Sequence, residues 1–317
     1  MGLSVVVPTH DTRELTMRCL ACLAPLASRG AQVVLVDDAS ADGTAEAARQ
    51  AFAWLQVLVN DEALGFARSA NRGLAQASGD LMVLLNSDTE MADILAMEEA
   101  FAADPRLGAA GASLVSPDGS PQWSGGARPT RAWLVGLASG LPRVLGALPG
   151  YRRVRAPSGT AGGPVDWVTG AALALRREAW TQAGPLDETY RFYAQDLDLC
   201  VRLRDAGWGV RVVPGWRVMH VGGATIGRRT GAMGGAHPAL LWADLLEWAR
   251  RREGAAWTAR TATLMDRAAA LRLRARAIGR AFRDGAERAA WDRDTAALRD
   301  AREALRAFRA GGAAGVS

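Results

Sequence analysis

The sequence predicts an α/β fold, a mostly parallel central sheet flanked by helices, with an α-helical extension on its C-terminal side. Three observations lead there. Short apolar runs alternate with stretches of helical spacing through residues 1–115, the rhythm of right-handed βαβ units. The apolar runs lack polar alternation, which suits strands covered on both faces. From about Ala239 the composition shifts to Ala, Arg and Leu at helical periodicity.

Leu3 to Pro8 is the first apolar run, and Leu15 to Leu26 has helical spacing. Gln32 to Val36 is a second run that stops at Asp37-Asp38; Ser40 or Asp42 is placed to cap a helix reaching about Ala53. Leu55 to Val59 predicts a strand, Gly65 to Ala77 a helix, and Asp80 to Leu85 a strand followed by Asn86-Ser87-Asp88. Glu90 to Ala102 predicts a helix and Gly108 to Val115 a strand. Pro117 to Pro164, rich in Gly, Pro and Arg, reads as a long excursion, a loop over the site, interrupted by the apolar stretch Trp133 to Leu148. Val165 to Leu175 returns to strand character, Arg176 to Ala183 and Asp196 to Ala206 are helical, and Gly209 to Val213 is a last strand with His220 in the loop beyond it. In such sheets ligands bind beyond the carboxyl ends of the strands. Pro8-Thr9, Asp37-Asp38 and Asn86-Ser87-Asp88 therefore converge on one sheet edge.

Two seven-residue patterns follow: Leu264, Ala268, Leu271, Ala275, Ile278 and Phe282, then Trp291, Leu298, Ala301, Leu305 and Phe308, with Gly285 between them. They predict two amphipathic helices in a hairpin. One reading packs them against the body or a second copy of the chain. The other docks them on an anionic membrane surface, since Arg267, Arg272, Arg274, Arg276 and Arg280 flank the first pattern.

Of 317 residues, 49% are hydrophobic and 22% charged, ordinary for a globular protein. All 38 basic residues are arginine, and the net charge is +5. That charge does not signal nucleic acid, because the excess sits in one place. From Pro238 onward there are 16 Arg against 10 acids, and the remainder carries 22 against 23. No run of about 18 apolar residues predicts a membrane span, and no basic stretch precedes the first strand as a signal peptide would require. Cys19 and Cys22 form a C-x-x-C inside an apparent helix, which fits structural thiols in a reducing cytoplasm better than a redox or metal site.

Several residues can carry chemistry, each with a plainer reading beside it. Asp88 at a strand end can ligate a hard cation that holds a diphosphate, or cap the helix after it. Asp37 and Asp38 can open a turn, or accept from the ring N–H of a pyrimidine. His220 is one of only three histidines. Asp196 and Asp198 can stabilise the first turn of a helix. A carboxylate buried beside the aromatics of Tyr190 to Tyr193 is equally how a general base is tuned. The entry Gly65 to Gly73, with Asn71, can face phosphates or a ribose.

In order and spacing these pieces resemble glycosyltransferase family 2, from Leu3 to Gly223. The matching motifs are Val5 to His10, Val36-Asp-Asp-Ala-Ser40 with Asp42-Gly-Thr44, Asn60 with Gly65-Phe66 and Asn71-Arg-Gly73, and Leu84 to Thr89. Thr169 to Ala172, Asp187-Glu188 and Tyr193 to Arg202 with Gly207-Trp208 are similar to the rhamnosyl- and galactofuranosyltransferase branch. The resemblance implies a GT-A fold with a catalytic domain over 1–237, its nucleotide-sugar half about 1–115 and its acceptor half about 116–237, and a helical extension over 238–317. It implies an inverting transferase that uses Mg2+ or Mn2+ held by Asp88 and His220, with Asp196 as base. Pro8, Thr9, Asp11, Asp37, Asp38, Asn71, Asn86, Ser87 and Asp88 would bind a UDP- or dTDP-sugar. Trp167, Thr169, Gly170 and Gln195 would face the acceptor, a saccharide, a lipid-linked saccharide or a small molecule. The expected place is the cytoplasm, with peripheral contact at the inner face of the membrane under the second reading of the C-terminal helices. The departures are Gln195, where the branch usually has Glu, and Asn86, where a strict D-x-D has its first acid. They motivate a second reading, a degenerate scaffold that binds nucleotide sugar or glycan. A third, a nucleotidyltransferase, lacks support because the loop Pro8 to Asp11 has no Gly.

Overall fold

The computed structural model describes residues 2–141, 156–157, 163–222 and 237–309. The first elements are β1 (Leu3–Thr9), α1 (Arg13–Ser28), β2 (Gln32–Asp37), α2 (Thr44–Ala51), β3 (Gln56–Val59), α3 (Phe66–Gln76) and β4 (Leu81–Leu85). β1 pairs in parallel with β2 and β4, and β2 with β3. The apolar runs of β1, β2 and β4 are buried on both faces, as their lack of alternation requires, while β3 at the sheet edge is partly exposed. The sheet and α3 approach closely. A Cβ on Gly73 would lie 2.9 Å from a Val36 methyl and closer still to Val6, so only glycine fits there without a shift. Neither Ser40 nor Asp42 caps α2: its N-cap is Gly43, with no side-chain bond. Asp42 instead accepts from Arg13 N at the start of α1 and from Thr44 N, at 2.9 and 3.1 Å.

Next come β5 (Thr89–Met91), α4 (Leu95–Ala103) and β6 (Leu107–Val115). The helix expected from Glu90 thus starts five residues late, and its place is taken by a short strand. The excursion contains β7 (Trp123–Gly126), α5 (Arg131–Ser139) and β8 (Ala156–Pro157). Residues 142–155 and 158–162, part of the expected loop over the site, lie outside the described residues. Then follow β9 (Trp167–Val168), β10 (Ala172–Arg176), α6 (Arg177–Ala183), α7 (Gln195–Asp205) and β11 (Gly209–His220). The main sheet has the order β3-β2-β1-β4-β10-β6-β11-β5, and β8-β7-β9 form a small second sheet. β10 runs antiparallel between β4 and β6, and β5 antiparallel beside β11.

β11 is seven residues longer than expected. The register shifts between Val213 and Arg217, so the strand bulges past Pro214, which has no N–H to give a ladder, and buries Trp216 completely. His220 is consequently the last residue of a strand and not part of a loop.

Among the described residues the C-terminal part holds the two expected helices and one before them: α8 (Pro238–Glu253), α9 (Ala255–Arg280) and α10 (Gly285–Arg309). The chain forms two compact units. One comprises Met1–Arg128, Arg155–Thr189 and Gln195–Thr225; the other comprises Pro129–Val154, Tyr190–Ala194 and Ile226–Ser317. In the second unit α9 packs on α5, α8 and α10. The pattern expected for α10 is inside, with Leu298, Ala301 and Leu305 buried. The pattern expected for α9 is outside: Leu264, Leu271, Ile278 and Phe282 are 40%, 63%, 70% and 84% exposed. The buried face of α9 consists of Thr258, Thr261, Ala262, Met265, Ala269 and Arg276. Helix spacing identifies an apolar stripe but not what covers it, and α9 has two such faces. No helix of the described residues is long and apolar enough to cross a membrane.

Candidate active site

The parallel strands deliver their polar ends to one edge. Pro8 is buried near the end of β1, in register with Val36. Thr9 Oγ1 hydrogen-bonds Thr12 and Thr16, and Thr12 Oγ1 lies 2.9 Å from Ser87 Oγ, which joins the β1 and β4 loops. Asp11 takes a left-handed φ of 49°. It links to the β2 loop in both directions, its N–H donating to Ser40 Oγ and its Oδ1 accepting from Ala41 N.

The two acids after β2 have separate surroundings. Asp37 Oδ1 accepts from Ser40 N at 2.7 Å, while its buried Oδ2 has no hydrogen-bond partner among the described residues. Asp38 accepts from Asn60 Nδ2, Leu64 N and Ser69 Oγ on Oδ1, at 2.6, 2.8 and 2.9 Å, and from Gly65 N on Oδ2 at 2.8 Å. Burial opposes its ionisation, yet these four donors hold the carboxyl below the usual range. Asp38 thus organises the turn into α3, and one lone-pair position of Oδ2 is left for a ligand. Asn71 stands apart from this edge. Its amide exchanges hydrogen bonds with Leu186 and donates to Glu188, tying α3 to the segment before α7.

Asp88 is not a helix cap. It precedes β5, and β5 pairs with β11 so that Thr89 lies opposite His220. A strand too short to be read from the sequence therefore brings together two residues 132 positions apart. Asp88 Oδ2 accepts from Gly222 N at 3.0 Å, and Oδ1 lies 3.4 Å from His220 Nε2. Burial acts to raise the Asp88 carboxyl, but a protonated His220 ring, whose Nε2–H faces it, and the Gly222 N–H hold it below its ordinary value. Gln122 supports the histidine. Its Nε2 donates to His220 O at 2.6 Å, which turns Oε1 toward His220 Nδ1 at 2.9 Å. Nδ1 then carries the proton, and in the neutral ring the Nε2 lone pair faces a carboxylate oxygen. Two acceptors face each other there, an arrangement that a cation satisfies, with Gln122 orienting the ligand from behind. Among the described residues no three His, Cys, Asp or Glu side chains gather to hold a metal. Two protein ligands suit Mg2+ or Mn2+ where phosphate oxygens and water complete the shell. Gln122 gave no sign in the sequence, lying in the excursion before β7.

Asp196 is the second residue of α7. Its Oδ2 accepts from Gly170 N and its Oδ1 from Leu197 N, both at 2.8 Å. Burial pushes its carboxyl above the ordinary range against the pull of these two N–H groups. The segment Thr169–Ala171 connects Asp196 to the loop that carries Asp88: Gly170 N donates to Asp196, and Ala171 O accepts from Asn86 N at 2.9 Å. Thr169 N donates to Ser124 O, and Trp167 stacks edge-on against Trp123 with centroids 4.7 Å apart. Gln195 is buried as the first residue of α7. Asp198 is structural. It pairs with Arg202 Nε at 2.7 Å, and Arg202 also donates to the carbonyls of Gly184 and Pro185. Cys19, Cys22 and Cys200 are free, and burial lifts the thiols of Cys19 and Cys200 to about 12, leaving them unreactive.

The segment leading into α7 has an anchor that the sequence did not reveal. In the second unit, Asp244 of α8 is buried and accepts from the successive N–H groups of Arg191, Phe192 and Tyr193, at 3.2, 2.9 and 2.7 Å. Tyr193 Oη accepts from His237 N at 2.8 Å, and Ala194 then takes a φ of 69° before Gln195 opens the helix.

The chain is similar to known proteins. The family described as Glycosyl transferase family 2 matches residues 4–155. An N-acetylglucosaminyl-diphospho-decaprenol L-rhamnosyltransferase of Mycobacterium tuberculosis is 31% identical over 255 residues, 74% of this chain and 81% of that protein. The O-antigen biosynthesis protein RfbC of Myxococcus xanthus is 30% identical over 186 residues, 56% of this chain but 14% of that longer protein. Among solved structures, the mannosyltransferase PcManGT from Pyrobaculum calidifontis in complex with GDP-Man and Mn2+ superposes with a TM-score of 0.56 at 18% identity, over 97% of this chain and 86% of that one. The last likeness shows the fold. With similarity to the mycobacterial enzyme along four-fifths of its length, the chain belongs to glycosyltransferase family 2 and is a glycosyltransferase of GT-A fold, similar to rhamnosyltransferases.

Proposed function

We propose that the chain transfers a single sugar, with inversion, from a UDP- or dTDP-sugar to an acceptor hydroxyl, using a divalent cation. The sugar is rhamnose or a related deoxysugar and the acceptor a lipid-linked saccharide, in cell-surface polysaccharide or glycoconjugate synthesis. The name of the mycobacterial relative, a rhamnosyltransferase acting on a decaprenyl diphosphate sugar, supports both choices. One observation carries the reading: two carboxylates whose segments meet through Thr169–Ala171 are shifted in opposite directions, Asp88 below its ordinary range and Asp196, by burial, above it. Such divergence separates a charge-binding role from an acid–base role.

In this reading Asp37 and Asp38 accept from the pyrimidine, and the β1 and β4 loops face the ribose and phosphates. Mg2+ or Mn2+ held by Asp88 and His220 would neutralise charge on the departing nucleoside diphosphate. Asp196 takes the proton of the acceptor hydroxyl as that oxygen attacks the anomeric carbon opposite the diphosphate. The bond to the diphosphate breaks, and the configuration inverts. A thermal-shift screen of nucleotide sugars with and without Mn2+ tests the donor half. Stabilisation by UDP- or dTDP-sugars that requires Mn2+ is expected, and indifference to both overturns it. NMR of the product anomer tests inversion. A chain that binds donor but neither hydrolyses UDP- or dTDP-sugars with Mn2+ present nor transfers their sugar is the scaffold.

A further inference from the structure

The outer face of α9 is apolar and basic, and no described residue covers it. Leu264, Leu271, Ile278 and Phe282 line up along it, each at least 40% exposed, with Ala275 exposed between them. Arg260, Arg267 and Arg274 follow at seven-residue steps along one flank, all exposed, and none makes an ion pair among the described residues. The other basic residues of this helix are engaged elsewhere. Arg276 is buried, donating to Thr295 Oγ1 and Trp291 O, and Arg280 pairs with Asp292. The only acid of α9, Asp266, faces the bundle and pairs with Arg302 at 2.7 Å. The outer face therefore has apolar side chains, positive charge and no acid.

We propose that this face docks on an anionic lipid bilayer surface. The leucines, Ile278 and Phe282 enter the boundary between headgroups and acyl chains, and the three arginines meet lipid phosphates. A helix with this distribution lies in the plane of the interface and does not cross it. A second copy of the chain fits less well. In an antiparallel pairing of two α9 helices through this stripe, each arginine flank would meet the other's, with no carboxylate on either face to offset the repulsion. The surface stands whichever sugar is moved.

The test is sedimentation of the full chain with vesicles of phosphatidylcholine alone and of phosphatidylcholine with phosphatidylglycerol in equal parts. Binding to the anionic vesicles that weakens as salt rises is expected. The double variant Leu271→Asp with Ile278→Asp should lose at least about tenfold in affinity. Arg267→Ser with Arg274→Ser should lose roughly fivefold per arginine on anionic vesicles only. Because these side chains are exposed, circular dichroism and melting should not change, which separates lost docking from lost folding. Equal binding by wild type and both double variants overturns the proposal, as does absence of binding by wild type. Light scattering that shows a wild-type dimer abolished by the Leu271 and Ile278 substitutions assigns the face to self-association and also overturns it.

Discussion

β4 and the outer face of α9 are both rows of large apolar side chains, and they meet opposite fates. Every residue of β4 is buried, and the strand ends at the Asn86–Asp88 cluster. The α9 row is exposed along its length. A strand inside a sheet that is covered on both sides has nowhere to show an apolar side chain, so its sequence pattern fixes its surroundings. A helix can bury one face with Ala and Thr against close neighbours and leave a row of larger side chains for another partner. Apolar periodicity therefore states a position in the first case and only an orientation in the second.

Paired truncations break or sharpen this contrast. Leu85→Ala in β4 should destabilise the fold by about 2–5 kcal/mol in urea unfolding. A cost below 1 kcal/mol would mean the sheet core is not as filled as its burial indicates. Asp244→Ala should come next, because it strips three successive N–H groups of their acceptor. A loss of about 2 kcal/mol or more is expected, with a lower kcat and an unchanged donor Kd. Gln122→Ala should weaken Mn2+ affinity about 10–100-fold, measured by calorimetry with nucleotide present, by freeing the His220 ring to turn. Leu271→Ala on the α9 face should change stability by no more than about 0.5 kcal/mol, and a large loss there would show the face to be covered.

The two acids also predict a pH dependence. A base must be ionised to act, and Asp196 is raised by burial. The acid limb of kcat/KM should thus lie above the ordinary Asp value of about 3.9, with the rate climbing as pH rises through it. The effect on folding has the opposite sign. The native state holds this proton more tightly than the unfolded chain, so the contribution of Asp196 to stability is lost as pH rises from the ordinary value through the raised one. A limb at the ordinary position that is unchanged in an Asp196 variant would remove Asp196 from the proton-transfer step.

The strand-end edge was legible because each apolar run stops at a polar cluster, and parallel topology then puts those stops side by side. The Asp88–His220 pair was legible as two residues but not as a geometry. Thr89–Met91 is too short and too compatible with helix to read as a strand, and Pro214 hides the continuation of β11 to His220. Gln122 and Asp244 were invisible for another reason. Each meets backbone or ring atoms many positions away, and a lone Gln or Asp has no local pattern that announces such a partner. The α9 stripe was legible as amphipathic, but not what covers it, since Ala262, Met265 and Ala269 make a second apolar face that packs inward.

The central claim is the division of labour between Asp88 and Asp196, and it is tested most directly by measuring donor binding and sugar transfer together in Asp196→Asn and Asp88→Asn. Asp196→Asn should bind UDP- or dTDP-sugar with Mn2+ nearly as well as wild type and transfer about 10²–10⁴-fold more slowly, whereas Asp88→Asn should lose the Mn2+-dependent part of binding. Normal transfer by Asp196→Asn, or loss of its donor binding, would contradict the account.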